Sequence, residues 1–236
     1  MGSSPRPRSE SVTLSKHALY AVFAIWLVSL GFRGIYITQL NPEPELTGDG
    51  FYYHTLANNL AEGHGFRMLS LDLFDTEEVA DHPPGYPVLL GAASSIGLDS
   101  RNEHRMVSAL VASLAVPLLG LAAARLAGRR RRGPPPPARL VAWAGIAAAA
   151  LAALNANMWI YDPLILAEPL VLAATAAWLY ACLVYDDRPS VGAAVAIGLS
   201  LGVAAATRSE LLAAGGVIVV LLWRHRSYPW QRMVLH

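Results

Sequence analysis

The stretch PPGYPVLLGAASSIGL, Pro83–Leu98, decides how the rest of the chain is threaded. It is apolar, but its sixteen residues fall short of the ~20 that a helix needs to cross a bilayer, and three prolines crowd its start. That length suits a re-entrant or interfacial helix. Around it lie longer runs that do suit spans: Ala18–Gln39, Arg105–Ala127, Leu140–Trp159, Leu164–Tyr185 and Val191–Ala206. A sixth, Leu211–Trp223, is short and extends through Thr207 or Arg224. If Pro83–Leu98 does not cross, the arginine run GRRRRGPPPPAR (Gly128–Arg139), DDRPS (Asp186–Ser190) and RHRSYPWQR (Arg224–Arg232) share one side with the basic N-terminus. Basic loops collect on the cytoplasmic side of helical membrane proteins. If it does cross, the four arginines land outside. The expected fold is therefore all-α: a polytopic transmembrane bundle of about six spans, with short interfacial helices in the first extracytoplasmic loop.

Composition agrees with that class. Of 236 residues, 54% are hydrophobic and 15% charged, where a soluble domain carries roughly a quarter charged; the mean hydropathy is +0.38. The apolar run after residue 17 is too long for a signal peptide core and lacks a small-residue cleavage site, so it reads as a first span that stays. Residues 1–17 form a cytoplasmic tail and 18–236 a transmembrane domain, with the first outer loop over about 40–104. The net charge of +1 points to no nucleic-acid partner. The single cysteine, Cys182, excludes an intrachain disulfide. The proline-flanked arginine run reads as a solvated linker with orienting charge.

The threading makes Leu40–His104 an outer loop with eleven acids against two arginines. In it, GDGFYYHTLANNLAEGHGF (Gly48–Phe66) reads as a short amphipathic surface helix, with Thr47 and Asp49 as N-cap types and Gly63 and Gly65 as the stop. Tyr52, Leu56 and Leu60 fall on one face and His54, Asn58 and Glu62 on another. Asp49 is either an N-cap, worth about 1 kcal/mol, or a functional carboxylate. His54 and His64 read as surface residues. Tyr52 and Tyr53 read as interfacial anchors or as platforms for a sugar.

Three other features fall at the same side. In DHPPGYP (Asp81–Pro87) an acid and a histidine precede a proline pair and Tyr86. Glu168 in LILAEPLVL sits between apolar residues at a span end; a carboxylate at full membrane depth costs about 2.5–3.5 kcal/mol and so faces a cavity or a partner. In ATRSELL, Arg208 and Glu210 lie between two apolar runs. Each alone fits a helix-end charge that snorkels. Together they make a pocket suited to a lipid-linked anion: a phosphate near Arg208, Arg105 and His82, or on a divalent metal held by acids, and a carboxylate as base for an acceptor hydroxyl.

The order of these pieces resembles the polytopic GT-C glycosyltransferases, above all the protein O-mannosyltransferases and the bacterial transferases that move aminoarabinose to lipid A. The resemblance runs through the acid after the first span (GDGFYY), the PPGY segment, Arg101 or Arg105 opening the next span, LAEPLVL and TRSELL, from about Ala18 to Ala214. It implies a sugar donor on a polyprenyl phosphate and inverting transfer, on the extracytoplasmic face, to a hydroxyl of a glycan, lipid or protein. It implies Asp49 as catalytic base or acceptor-orienting group, His82 and Arg208 at the donor phosphate, and Asp81 and Glu168 as ligands of a divalent metal or as walls of the donor site. Tyr52, Tyr53, Tyr86 and Glu210 would line the substrate pocket. Members of that family are longer, so the chain is expected to be a fragment, a truncated product or one half that needs a partner, with a further membrane subunit as a candidate. The expected location is a bacterial plasma membrane, surrounded by its lipids, with the N-terminus in the cytoplasm. The rival expectations are a non-catalytic membrane scaffold or assembly partner and, third, a transporter.

Overall fold

The computed structural model describes residues 14–40, 46, 48–69, 76–129 and 134–225. Thr47, four acids of the first loop (Glu43, Glu45, Asp72 and Asp75), arginines 130–132 and the basic segment from residue 226 lie outside them.

The chain is a helical bundle. Its long helices are α1 (Lys16–Ile35, with a π-helical extension to Leu40), α4 (Arg101–Ser113), α5 (Ala115–Ala127), α6 (Ala138–Leu154), α7 (Glu168–Asp187), α8 (Val191–Thr207) and α9 (Gly215–His225). Two further helices, α2 (Asp49–Ala61) and α3 (Gly85–Ser94), sit between the first and second of these segments. The described residues also hold a short antiparallel ladder that the all-α expectation omits, β1 (Arg67–Leu69) on β2 (Thr76–Glu78), registering Arg67 on Glu78.

Local chemistry starts several helices. Ser15 caps α1 by accepting from the Ala18 amide at 3.3 Å, and Ser190 caps α8 through the Ala193 amide at 3.2 Å. Ser100 and Glu103 form a reciprocal capping box at α4. The break between α4 and α5 at Leu114 has its cause in Pro117, which lacks the N–H that the Ser113 carbonyl would take. Helices α5 and α6 pack closely because Gly120 faces Gly145: a Cβ on Gly120 would lie 3.0 Å from the Gly145 carbonyl. Small residues at such crossings let backbones approach.

Among the described residues, three helical segments are long and apolar enough to cross a membrane: Lys16–Leu40, Arg101–Ala127 and Glu168–Asp187. The count becomes four if Ala138–Leu154 and Ala156–Leu164, which meet at 80°, are one broken span. This differs from the expected six. The Leu140–Trp159 run is not straight: α6 ends at Leu154, and Asn155 turns its side-chain oxygen to the Asn157 amide. Leu164 belongs to the turn before α7, not to the helix. After α8 the backbone is extended at Arg208 and then passes through a tight 3₁₀ turn, Ser209–Ala214, leaving only an eleven-residue α9. Pro83–Leu98 yields the ten-residue α3, too short to span.

The expected single apolar face of α2 is also revised. Tyr52, Tyr53, Leu56 and Ala57 are all buried, packed with Tyr86, Leu90, Ile165 and Leu170. The helix is thus lodged among α3 and the α6–α7 turn rather than resting one stripe on a surface. Helix α7 spans about 30 Å from Glu168 to Asp187, which separates two ends. At the arginine end, Arg125 of α5 and Arg129 just beyond it pair with Asp187 at 2.8 and 3.0 Å, and Arg129 with Asp186 at 3.2 Å. The other end carries Asp49.

Candidate functional site at the Asp49 end

Asp49 is the first residue of α2, not its cap. Gly48 is the cap, at φ 54°, a left-handed conformation that suits glycine. The N-cap reading of Asp49 therefore falls: the carboxylate makes no capping bond, and its Oδ1 lies 3.6 Å from His82 Nε2. Its place in the first turn sets it near the positive end of the helix dipole.

Two close approaches hold this region together. A Cβ on Gly50 would stand 2.6 Å from the Leu164 carbonyl oxygen, so the start of α2 is pressed on the turn that precedes α7. A Cβ on Gly85 would stand 2.7 Å from Thr207 Oγ1 and 2.8 Å from the Ala206 carbonyl, which docks α3 on the end of α8. The glycine beside Asp49 thus has a packing reason. Gly50→Ala is expected to cost about 1–3 kcal/mol, since backbone, not a yielding side chain, blocks the methyl. Gly192→Ala, at a helical glycine with open space around its Cβ position, is expected to stay within about 0.5 kcal/mol of the parent. Thermal unfolding of the two variants in detergent compares them directly.

The aromatic residues fill the space between these contacts. Tyr52 and Tyr53 have ring centroids 4.9 and 5.4 Å from His82, and Tyr53 lies edge-on to Tyr86 at 5.1 Å. Tyr86 is fully buried, and its hydroxyl shares a 2.6 Å hydrogen bond with Ser108 of α4. Burial, then the Asp49 and Glu168 carboxylates, push the Tyr53 phenol up to about 12, against a smaller opposing pull from Arg208. Tyr53 thus sits within electrostatic reach of three charged groups and keeps its proton. Burial, then exposed Asp81, also raise Tyr52.

Arg208, half-exposed at the end of α8, is ion-paired to Glu168 of α7 and lies 3.5 Å from Glu210. Beside Glu168 opens a cavity of about 320 Å³ walled by Met158, Tyr161, Asp162, Pro169, Val171, Leu172 and Thr175. Its lining is mostly apolar, with the Glu168–Arg208 pair at one edge.

Asp49, His82, Tyr52, Tyr53, Tyr86, Glu168, Arg208 and Glu210 are thus linked through this one end. Arg105 is not placed with them. It is buried on α4, where it donates to Asn102 Oδ1 at 2.6 Å and to the Ile37 carbonyl at 3.3 Å, pinning α4 to the end of the first segment. Glu168 is engaged by Arg208, and Asp81 lies exposed within electrostatic reach of Tyr52. Among the described residues no three His, Cys, Asp or Glu side chains converge as ligands.

Sequence reasoning missed two buried polar contacts. Arg33 of α1 pairs with Asp162 at 2.7 Å. His54, expected at the surface, meets fully buried His104 at 2.9 Å between Nδ1 atoms. The signal for the first was present: a lone arginine inside an apolar helix implies a partner. No protein-family model, curated protein or solved structure matches this chain.

Proposed function

We propose that the chain is a membrane glycosyltransferase, or the N-terminal part of one, that moves a sugar from a polyprenyl-phosphate donor to the hydroxyl of a glycan, lipid or protein acceptor. The observation that carries this reading is the placement of the Asp49–His82 pair and the Glu168–Arg208 pair around Tyr53, with Glu168 also lining an apolar groove. A lipid-linked anion has the same division, a polar head and a long apolar tail. In this reading the tail lies along Val171, Leu172 and Thr175, and the phosphate meets Arg208, which has N–H donors beyond those given to Glu168.

The acceptor oxygen attacks the anomeric carbon from the face opposite the phosphate. Asp49 takes the hydroxyl proton as the new C–O bond forms. The sugar–phosphate bond breaks, its electrons stay on the phosphate oxygen, and the charge is met by Arg208. One displacement inverts the configuration. His82, placed against Asp49 rather than against Arg208, orients the carboxylate.

In the same reading the Asp49 end faces out of the cell and the Arg125–Arg129 end faces the cytoplasm. The chain is then multi-pass in a bacterial plasma membrane, with α8 and the Ser209–His225 segment supplying the remaining crossings towards six. Helices α2 and α3 lie at the outer interface.

Purified protein in proteoliposomes is supplied with synthetic polyprenyl-phosphate sugars and acceptor hydroxyls, and transfer is counted. Arg208→Gln is expected to raise the donor KM about 10–100-fold, the worth of one charge-assisted hydrogen bond. A donor KM that does not move removes Arg208 from the phosphate, and absence of transfer from every such donor ends the reading.

A further inference from the structure

The His54–His104 contact stands outside the chemistry just described, and its protons can be assigned from its neighbours. Asn58 Nδ2 donates to the Asp99 carbonyl at 3.1 Å, so Asn58 Oδ1 is the atom facing Ser94 Oγ at 2.8 Å. The Asn58 amide oxygen and the Leu90 carbonyl, 3.1 Å from Ser94 Oγ, only accept, so the Ser94 hydroxyl proton is spent on these two oxygens. Ser94 must then accept from His104 Nε2, 2.8 Å away. A neutral His104 with its proton on Nε2 has a bare Nδ1, and His54 Nδ1–H donates to it across 2.9 Å. One extra proton is tolerated, because His54 can carry it on Nε2 and keep the bond. Two extra protons leave two N–H groups facing each other.

The three elements of this relay are α2 (His54 and Asn58), α3 (Ser94) and α4 (His104). We propose that the His54–His104 pair is a pH-operated clamp that holds α2, and with it Asp49 and Tyr53, against α3 and α4 only while the pair carries at most one extra proton. The charged groups facing it are few. Asp99 and Arg101 face His54, and Asp99 and Glu103 face His104; α3 presents only the Ser94 hydroxyl. Glu103 already accepts from Ser100 at the start of α4. Burial, then Arg101, hold the His54 imidazole below its ordinary value.

The sign follows from proton counting. Two separated imidazoles in a released α2 take up two protons as pH falls through about 6.5. The docked pair takes up one. Docking is therefore complete above about 6.5 and weakens below it by at least about tenfold per pH unit, since one proton is refused throughout and burial delays the other. This clamp does not depend on the sugar-transfer reading.

The test uses the full chain in lipid nanodiscs. Hydrogen exchange of residues 49–61, corrected for intrinsic rate, is followed from pH 7.5 to 5.0, with α7 as internal reference. Opening of α2 is expected to rise at least about tenfold per pH unit below ~6.5, with α7 flat. His54→Gln is expected to abolish the slope, since the amide can turn either its oxygen or its NH₂ to His104. Nitrogen-15 histidine spectra of the unmodified protein at pH 7.5 are expected to show His54 protonated at Nδ1 and His104 at Nε2. A flat α2, an unchanged slope in His54→Gln, or a different tautomer pair overturns the clamp.

Discussion

Asp49→Asn is expected to lower sugar transfer about 10²–10⁴-fold, the usual worth of a positioned base, without disturbing the fold. Asparagine keeps the shape and one oxygen of the aspartate but takes no proton at neutral pH. Asp49 is exposed, makes no capping bond and touches His82 only at 3.6 Å. Its replacement therefore breaks no buried network, and the change in unfolding free energy is expected within about 0.5 kcal/mol. Donor KM is expected to stay near the parent value, because the phosphate contact is assigned to Arg208 on another helix. A loss confined to kcat is what removal of a transition-state interaction looks like. Alanine at the same position is expected to be no worse than asparagine, since proton acceptance rather than volume is lost. Full turnover in Asp49→Asn would leave the site without its base.

Much of the fold was legible because its signals are local. The brevity of α3 follows from its short apolar run and the prolines at its head. Asp49, His82, Glu168 and Arg208 could be singled out because each flanks an apolar run, where a charge is conspicuous. What was not legible depends on contacts far apart in the chain. Arg105 opens an apolar helix as Arg208 ends one, and nothing local says that its guanidinium turns inward to Asn102 and Ile37. His54 and His104, fifty residues apart, both sit in polar-looking sequence, and only the docking of α2 on α4 makes them partners. The bend after Leu154 was hidden by apolar residues that continue on both sides of Asn155. The packing of Gly50 against the Leu164 carbonyl is likewise a tertiary fact.

Arg33→Met is expected to destabilise the bundle by about 3–5 kcal/mol, the cost of stranding one partner of a buried ion pair. Both side chains are almost fully out of solvent, at 0% and 1% exposure, and Arg33 Nη1 meets Asp162 Oδ2 at 2.7 Å. Its Nη2 also donates to the Met158 carbonyl at 2.6 Å. Methionine fills most of the volume but leaves a carboxylate and a carbonyl with no donor. The effect is expected to reach the groove, because Met158 and Asp162 form part of its wall and the same turn carries the Leu164 carbonyl on which α2 rests. Asp162→Leu alone strands the guanidinium and is expected to cost a similar amount. The double variant removes both charges, and apolar replacement of a buried pair is often neutral. It is therefore expected to recover most of the loss, giving a strongly non-additive double-mutant cycle. Unfolding in detergent, followed by helical signal, measures all three. If the two single losses simply add in the double variant, the contact is not what joins α1 to this turn; if they cancel, a charge pair far below the surface fixes the wall against which Asp49 is set.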